Sequence, residues 1–245
     1  MLKTVLITGA SRGIGAATAK VFASHGYNII VNYNKSKEQA KQLCQNLEKE
    51  YHIKAIFLKA DISNQQEIDT MLEKIRNLNI EINCLVNNAG IDRDSLFQDK
   101  NFEDFETTLR TNLIGPFWLS KKIGKEMYER KQGKIINVTS TNAIDTYYPC
   151  SADYDASKAG LVSLTHNLAV QFAPYININA VAPGWTNTDM VKELDEEYRS
   201  EEEGKILLHR FAEPQEIANV IYFLATEEAK YINNEIIRVD GGWYL

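Results

Sequence analysis

Thr4-Val5-Leu6-Ile7-Thr8-Gly9-Ala10-Ser11-Arg12-Gly13-Ile14-Gly15 decides the fold class. A short apolar run ends in a glycine-rich turn, and a helical period follows. Glycine lets the backbone turn sharply and approach a ligand closely. The start of the next helix offers free N–H groups and the positive end of a dipole, which suits a pyrophosphate. The spacing is Gly-x-x-x-Gly-x-Gly, which differs from the GxGxxG dinucleotide fingerprint. Taken alone, the turn reads either as a phosphate cradle or as a plain chain reversal.

The same strand–turn–helix pattern recurs along the chain. Strands are predicted at 3–8, 27–32, 53–59, 82–87, 133–139, 176–181 and 235–239. Amphipathic segments lie between most of them; in 159–172, Leu161, Leu164, Leu168 and Phe172 share one helical face. Ser63 with Gln66 reads as a capping box, and Pro214 suits the first turn of a helix running to about Ala225. Apolar strands alternating with helices imply a parallel sheet covered on both faces. The expected fold is α/β: a single Rossmann-like, doubly wound domain over 1–245, with a seven-stranded parallel sheet. In such sheets ligands bind beyond the carboxyl ends of the strands.

Composition narrows the function classes. The 245 residues are 44% hydrophobic and 24% charged, ample for a core without metal or disulfide support. With 33 acidic and 27 basic residues the net charge is -6, which argues against a nucleic-acid binder. Cys44, Cys84 and Cys150 are scattered, so no zinc or other metal site and no disulfide framework is expected. No run of about 18 apolar residues exists, so no membrane span is expected. The apolar stretch at the N-terminus is too short for a signal peptide. A cytoplasmic location follows as an expectation.

The strand ends carry the candidate chemistry. Asn34, Lys35 and Ser36 follow the second strand, where an NAD site usually places a carboxylate. None occurs until Glu38, so Arg12 and Lys35 are candidates to flank a 2′-phosphate. Asp61-Ile62 follow the third strand and Asn87-Asn88-Ala89-Gly90 the fourth. Thr139-Ser140-Thr141 follow the fifth. Tyr154 and Lys158, four apart, share a helical face.

This order of motifs, with Asn112 and Pro183-Gly184, resembles the short-chain dehydrogenase/reductase family over essentially the whole chain. The resemblance implies hydride transfer between a nicotinamide and a carbonyl or alcohol carbon. It implies Asn112, Ser140, Tyr154 and Lys158 as the catalytic set. Tyr154 would be the acid, Ser140 would hold the substrate oxygen, and Asn112 a water relaying protons to Lys158. A free phenol has a pKa of about 10, and Lys158 is expected to lower it. Cofactor contacts carry over to Gly9, Ser11, Arg12, Gly13, Ile14 and Gly15 at the phosphates. They carry over to Asp61 and Ile62 at the adenine and to Asn88, Ala89 and Gly90 at its ribose side. Tyr154, Lys158, Pro183, Gly184, Thr186 and Thr188 would meet the nicotinamide end. Arg12, with no carboxylate at Tyr33, points to NADP(H) over NAD(H).

Within the family the likeness is to the β-ketoacyl-acyl-carrier-protein reductases, through Arg93-Asp94, Thr188-Asp189-Met190 and Asp240-Gly241-Gly242. A substrate linked to acyl carrier protein follows, as in fatty acid biosynthesis. Residues 121–134, with six basic and two acidic side chains, would be the landing patch. Against this, a lid expected at about 185–210 is acidic, and Tyr147 and Tyr148 add bulk before Tyr154. A small alcohol, sugar or steroid is the alternative substrate; a silent dinucleotide sensor is the remote one. The uncharged stretch 159–188 suggests a helix buried on more than one side, and the resemblance implies a homotetramer. The tail Trp243-Tyr244-Leu245 is expected to reach a neighbouring subunit.

Overall fold

The computed structural model describes residues 2–145, 147–191 and 194–244. Strands β1 (Thr4–Ile7), β2 (Asn28–Tyr33), β3 (Ala55–Lys59), β4 (Cys84–Asn87), β5 (Gly133–Val138), β6 (Ile176–Pro183) and β7 (Ile236–Val239) form one sheet. Their order is β3-β2-β1-β4-β5-β6-β7, and every pairing is parallel. The strands match the seven expected runs to within two residues at each end.

The helices are α1 (Gly13–Ser24), α2 (Lys37–Tyr51), α3 (Gln65–Asn77), α4 (Phe102–Leu109), α5 (Gly115–Glu129), α6 (Ala152–Phe172), α7 (Glu196–Gly204) and α8 (Pro214–Ala225). Successive side chains of a strand point to opposite faces. Val5 and Ile7 of β1 therefore join one core with Phe22 and Leu43, on α1 and α2, and Ile217 on α8. Leu6 between them joins the other, with Ile68 on α3, Leu119 on α5 and Leu168 on α6. The sheet is covered on both faces, as the strand composition requires.

A buried polar chain crosses the centre. Asn87 donates through Nδ2 to Asn137 Oδ1 at 2.8 Å and to Ser120 Oγ at 3.1 Å. Asn137 in turn donates to Thr165 Oγ1 at 2.8 Å. These bonds tie β4 and β5 to α5 and α6. The two amide nitrogens are thereby satisfied, as buried polar groups generally are, while Asn87 Oδ1 accepts no hydrogen bond.

Two local readings change, and a π-turn appears between them. The cap of α3 is Asn64, whose side chain accepts from the N–H groups of Gln66 and Glu67. Ser63 is unavailable as a cap because its hydroxyl donates to Asp61 Oδ1 at 2.6 Å. Asn112 lies in a π-helical turn, Arg110–Ile114, between α4 and α5. Such turns often widen a helix at a functional position. Helix α6, uncharged from Ala159 onward, is buried along one side only within the single chain, and its outer side carries exposed Ala159, Ser163, Asn167 and Val170, the last 73% exposed.

Gly115 opens α5 beside the Ile62 carbonyl, and a Cβ there would lie 2.3 Å from that oxygen. Neither backbone can yield cheaply, since one carries the Asn112 turn and the other the end of the β3 loop. Gly115→Ala should cost about 1–3 kcal/mol, as overpacking does in a filled core. The urea midpoint measures it, with an unchanged slope.

Candidate active site

Strand order reverses between β1 and β4, which opens a crevice at their carboxyl ends. The turns after these strands are stitched together. Thr8 Oγ1 accepts from the N–H groups of Asn88 and Ala89, both at 3.0 Å. Asn88 Nδ2 donates to Thr8 O at 2.9 Å and to Gly9 O at 3.3 Å. Gly9 adopts φ +61, and a Cβ on it would lie 2.9 Å from Ala89 Cα. A Cβ on Gly15 would lie 2.6 Å from Asn88 Nδ2 and 2.7 Å from Gly9 O. The first turn of α1 has no side-chain cap and no acid. A backbone cradle closed to side chains, under an uncapped and uncharged helix start, fits the phosphates of a dinucleotide.

The remaining cofactor candidates ring this cradle. Gly184 N–H donates to Val239 O at 3.1 Å just after Pro183 ends β6. Thr186 Oγ1 donates to Gly184 O at 3.0 Å. The Thr188 methyl lies 3.4 Å from where a Gly13 Cβ would stand, so the two sides of the crevice meet there. Lys35 and Ser36 follow Asn34, whose Nδ2 donates to Asp61 Oδ2 at 2.9 Å. Burial opposes ionisation of Asp61. Hydrogen bonds from Ser63 and Asn34, with Lys35 nearby, outweigh it and hold the carboxyl below its usual range. The side chain of Ile62 is in the core with Ile68 and Leu119, which leaves only its backbone to meet a ligand. Arg12 is exposed and stands 3.8 Å from Asp189.

The catalytic candidates converge on the other side. Ser140 follows β5 in extended conformation, and its hydroxyl hydrogen-bonds the Tyr154 phenol. Lys158, one turn further along α6, donates to Val138 O at 2.8 Å. Its Nζ lies 5.5 Å from the Tyr154 ring centroid. Asn112 is fully buried and does more than the sequence indicates. Its Nδ2 donates to Ile91 O and Ser157 Oγ at 2.9 and 3.0 Å, and its Oδ1 accepts from Ile91 N–H at 2.9 Å. It clamps the segment after Gly90 to α6.

The phenol's acidity departs from expectation. Burial raises the Tyr154 pKa, and Asp92, Asp155 and Asp94 add to it, while the Ser140 bond works the other way. The physical reason is desolvation, which penalises phenolate more than the ammonium at the ring face relieves it. Burial also pulls Lys158 down to about 8, against the pull of Asp92.

Sequence spacing gave no sign of the polar floor beneath this pair. Asp153 is fully buried, accepts from Thr108 Oγ1 at 2.7 Å and pairs with buried Lys100 at 2.8 Å. Asp155 accepts from Asn142 Nδ2 at 2.8 Å. The partners lie 13 to 53 residues apart, beyond any local pattern.

The walls are partly as expected. Tyr147 is 81% exposed and so does not narrow the crevice. Tyr148 hydrogen-bonds Tyr198 on α7, joining that wall to the segment read as a lid. In this segment Val191, Ile206 and Phe211 form a small core, with Trp185 and Trp243 against it. Trp243 thus packs on its own chain. Much of the acidic charge is used internally: buried Glu202 accepts from Trp185 Nε1 at 2.8 Å, and Lys205 pairs with Glu201 and Glu202. Lys192, Glu193, Leu245 and the Met190 side chain lie outside the described residues.

The family model for short chain dehydrogenases matches residues 3–199. The chain belongs to that family. It is 38% identical over 243 residues to a 3-oxoacyl-acyl-carrier-protein reductase of Aquifex aeolicus, covering 99% of this chain and 97% of that one. Among solved structures, a 3-oxoacyl-acyl-carrier-protein reductase from Brucella melitensis superposes with a TM-score of 0.93 at 27% identity, covering 99% of this chain and 91% of the other. An acetoin dehydrogenase from Salmonella typhimurium gives 0.90 at 28% identity, with 99% and 96% covered. As a short-chain dehydrogenase, the chain is an oxidoreductase that works with a nicotinamide dinucleotide on a carbonyl–hydroxyl pair.

Two substitutions test this geometry. Gly15→Ala should weaken dinucleotide binding about 10- to 100-fold, the overpacking penalty expressed as affinity. Quenching of intrinsic fluorescence by added cofactor measures it, with circular dichroism confirming the fold. Lys100→Met should destabilise the fold by roughly 3–5 kcal/mol, because it strands the buried Asp153 carboxylate; denaturant titration checks that.

Proposed function

We propose that this enzyme reduces 3-oxoacyl thioesters of acyl carrier protein to 3-hydroxyacyl thioesters with NADPH. The observation that carries the reading is the convergence of Ser140, Tyr154 and Lys158 on the crevice whose other wall is the glycine cradle. The full-length similarity to 3-oxoacyl-acyl-carrier-protein reductases supports the substrate class. The lack of a carboxylate directly after β2, with Arg12 and Lys35 at hand, supports the 2′-phosphate.

Gly9, Ser11, Arg12, Gly13, Ile14 and Gly15 would hold the phosphates, and Asn34, Lys35 and Ser36 the adenosine 2′ side. Asp61, Ile62, Asn88, Ala89 and Gly90 would flank the adenosine. Pro183, Gly184, Thr186 and Thr188 would hold the nicotinamide end. The bound cofactor supplies hydride. Ser140 donates to the substrate oxygen and keeps it against Tyr154, whose O–H gives the proton to that oxygen. Lys158 keeps a cation beside the phenol, and Asn112 fixes the segment that walls the ammonium. The exposed, uncharged side of α6 is the surface for assembly into a homotetramer.

A small hydroxy or keto compound is the second reading. The basic stretch 121–134 favours it by its placement. Lys134, at the start of β5, is about 20 Å along the strand from Ser140. Lys122 pairs with Asp69, Lys125 with Glu129 and Arg130 with Glu81, so this charge is not a free patch at the crevice mouth.

Assays of cofactor oxidation should show turnover of acetoacetyl thioesters with NADPH, and at least tenfold less with NADH. Faster reduction of acetoin-like ketones, sugars or ketosteroids would favour the second reading. Tyr154→Phe should lower turnover at least about 10²-fold, the usual share of a general acid, while cofactor binding stays within a few-fold.

A further inference from the structure

Asp92 has no part in the roles assigned so far. It stands where the loop after β4 meets the start of α6. Gly90, two residues earlier, abuts Lys158: a Cβ there would lie 3.3 Å from Nζ. Ile91 is clamped on both backbone atoms by Asn112. On the other side, Ser95 N–H donates to Cys150 O at 3.1 Å. Ser151 Oγ sits 2.9 Å from Asp94 Oδ1 and 3.4 Å from Asp92 Oδ2. Ser151 lies one helical turn before Tyr154. Asp92 Oδ1 is buried and accepts no hydrogen bond. A half-buried carboxylate is thus fixed on the loop that abuts Lys158 and meets the start of the helix carrying Tyr154.

We infer that Asp92 is a positioning residue for the Tyr154–Lys158 pair: set against Ser151 at the start of α6, its carboxylate favours the ammonium of Lys158 and keeps the Tyr154 proton donor loaded as the solution turns alkaline. This rests on the reductive role proposed for Tyr154. Among the charged groups acting on Tyr154, Asp92 is the strongest, ahead of Asp155 and Asp94. It is also the charge that favours the ammonium of Lys158.

Asp92 is faced by Asp94 from its own loop, and by Asp153, Tyr154 and Lys158 from α6. Tyr148 faces it from the preceding loop, and the Arg93 N–H donates to it. The nearby cations are engaged elsewhere, Lys100 with Asp153 and Arg93 with Asp104. Burial first and Asp94 second push the Asp92 carboxyl up to about 7. Its negative charge therefore appears as pH passes neutrality, before Tyr154 ionises. A like charge resists phenolate formation, so loss of the proton donor is postponed.

The test titrates Tyr154 directly. The phenolate absorbance of the protein, less that of Tyr154→Phe, follows this residue among the 12 tyrosines. Asp92→Asn and Asp92→Ser, two neutral variants in case one folds poorly, should ionise Tyr154 roughly one pH unit lower. The alkaline limb of kcat/KM for carbonyl reduction should move down by the same amount. Asp92→Glu keeps the charge and should restore the parent titration. An unmoved Tyr154 titration in a folded neutral variant overturns the inference. An enzyme whose Tyr154→Phe form turns over normally overturns the reductive role instead, and the absorbance titration keeps the two failures apart.

Discussion

The buried amide of Asn112 is the contact on which the site depends. It satisfies both backbone groups of Ile91 and the hydroxyl of Ser157. A carboxamide offers two donors and an acceptor in one plane, and asparagine carries it on the shorter stem. Through it, the loop leaving β4 and the helix carrying Tyr154 and Lys158 become one rigid unit. Gly115 allows the π-turn that aims this amide, because its missing side chain lets α5 settle on the Ile62 carbonyl. A widened turn in a helix and an absent methyl group thus set the distance between ammonium and crevice.

The sheet was legible because its period is local. Each strand run is apolar, β-branched and closed by a turn, and the strands were placed to within two residues. The glycine cradle was legible for a related reason: positive φ and close approach leave glycine as the only fitting residue. The cap of α3 was misread because Ser63 and Asn64 are both good caps. The choice was made by Asp61, which takes the serine hydroxyl. The buried Lys100–Asp153 pair and the Asp92–Ser151 contact gave no signal, since they join segments more than fifty residues apart.

The acidity of the site shows where residue types alone mislead. A tyrosine and a lysine one turn apart suggest a phenol made more acidic. In the folded chain Lys158 is buried and Tyr154 half-buried, and three carboxylates act on the phenol. Desolvation then exceeds the attraction of a single cation. Four residue identities suggest a chemistry, and the surrounding dielectric gives the proton affinities, which no motif encodes. The same holds for the charge balance of residues 195–205, where four of the acids are taken up by a helix cap, an indole, an arginine and a lysine.

Parallel strands also make the molecule two-ended. All the chemistry lies at the carboxyl ends, while the turns near His52, Lys131 and Asn234 lie at the opposite pole, each with one residue in the left-handed region. A strand length of rigid backbone separates the two poles. Those turns are therefore natural anchorage points: a chain immobilised, labelled or fused there would present its crevice outward to solvent.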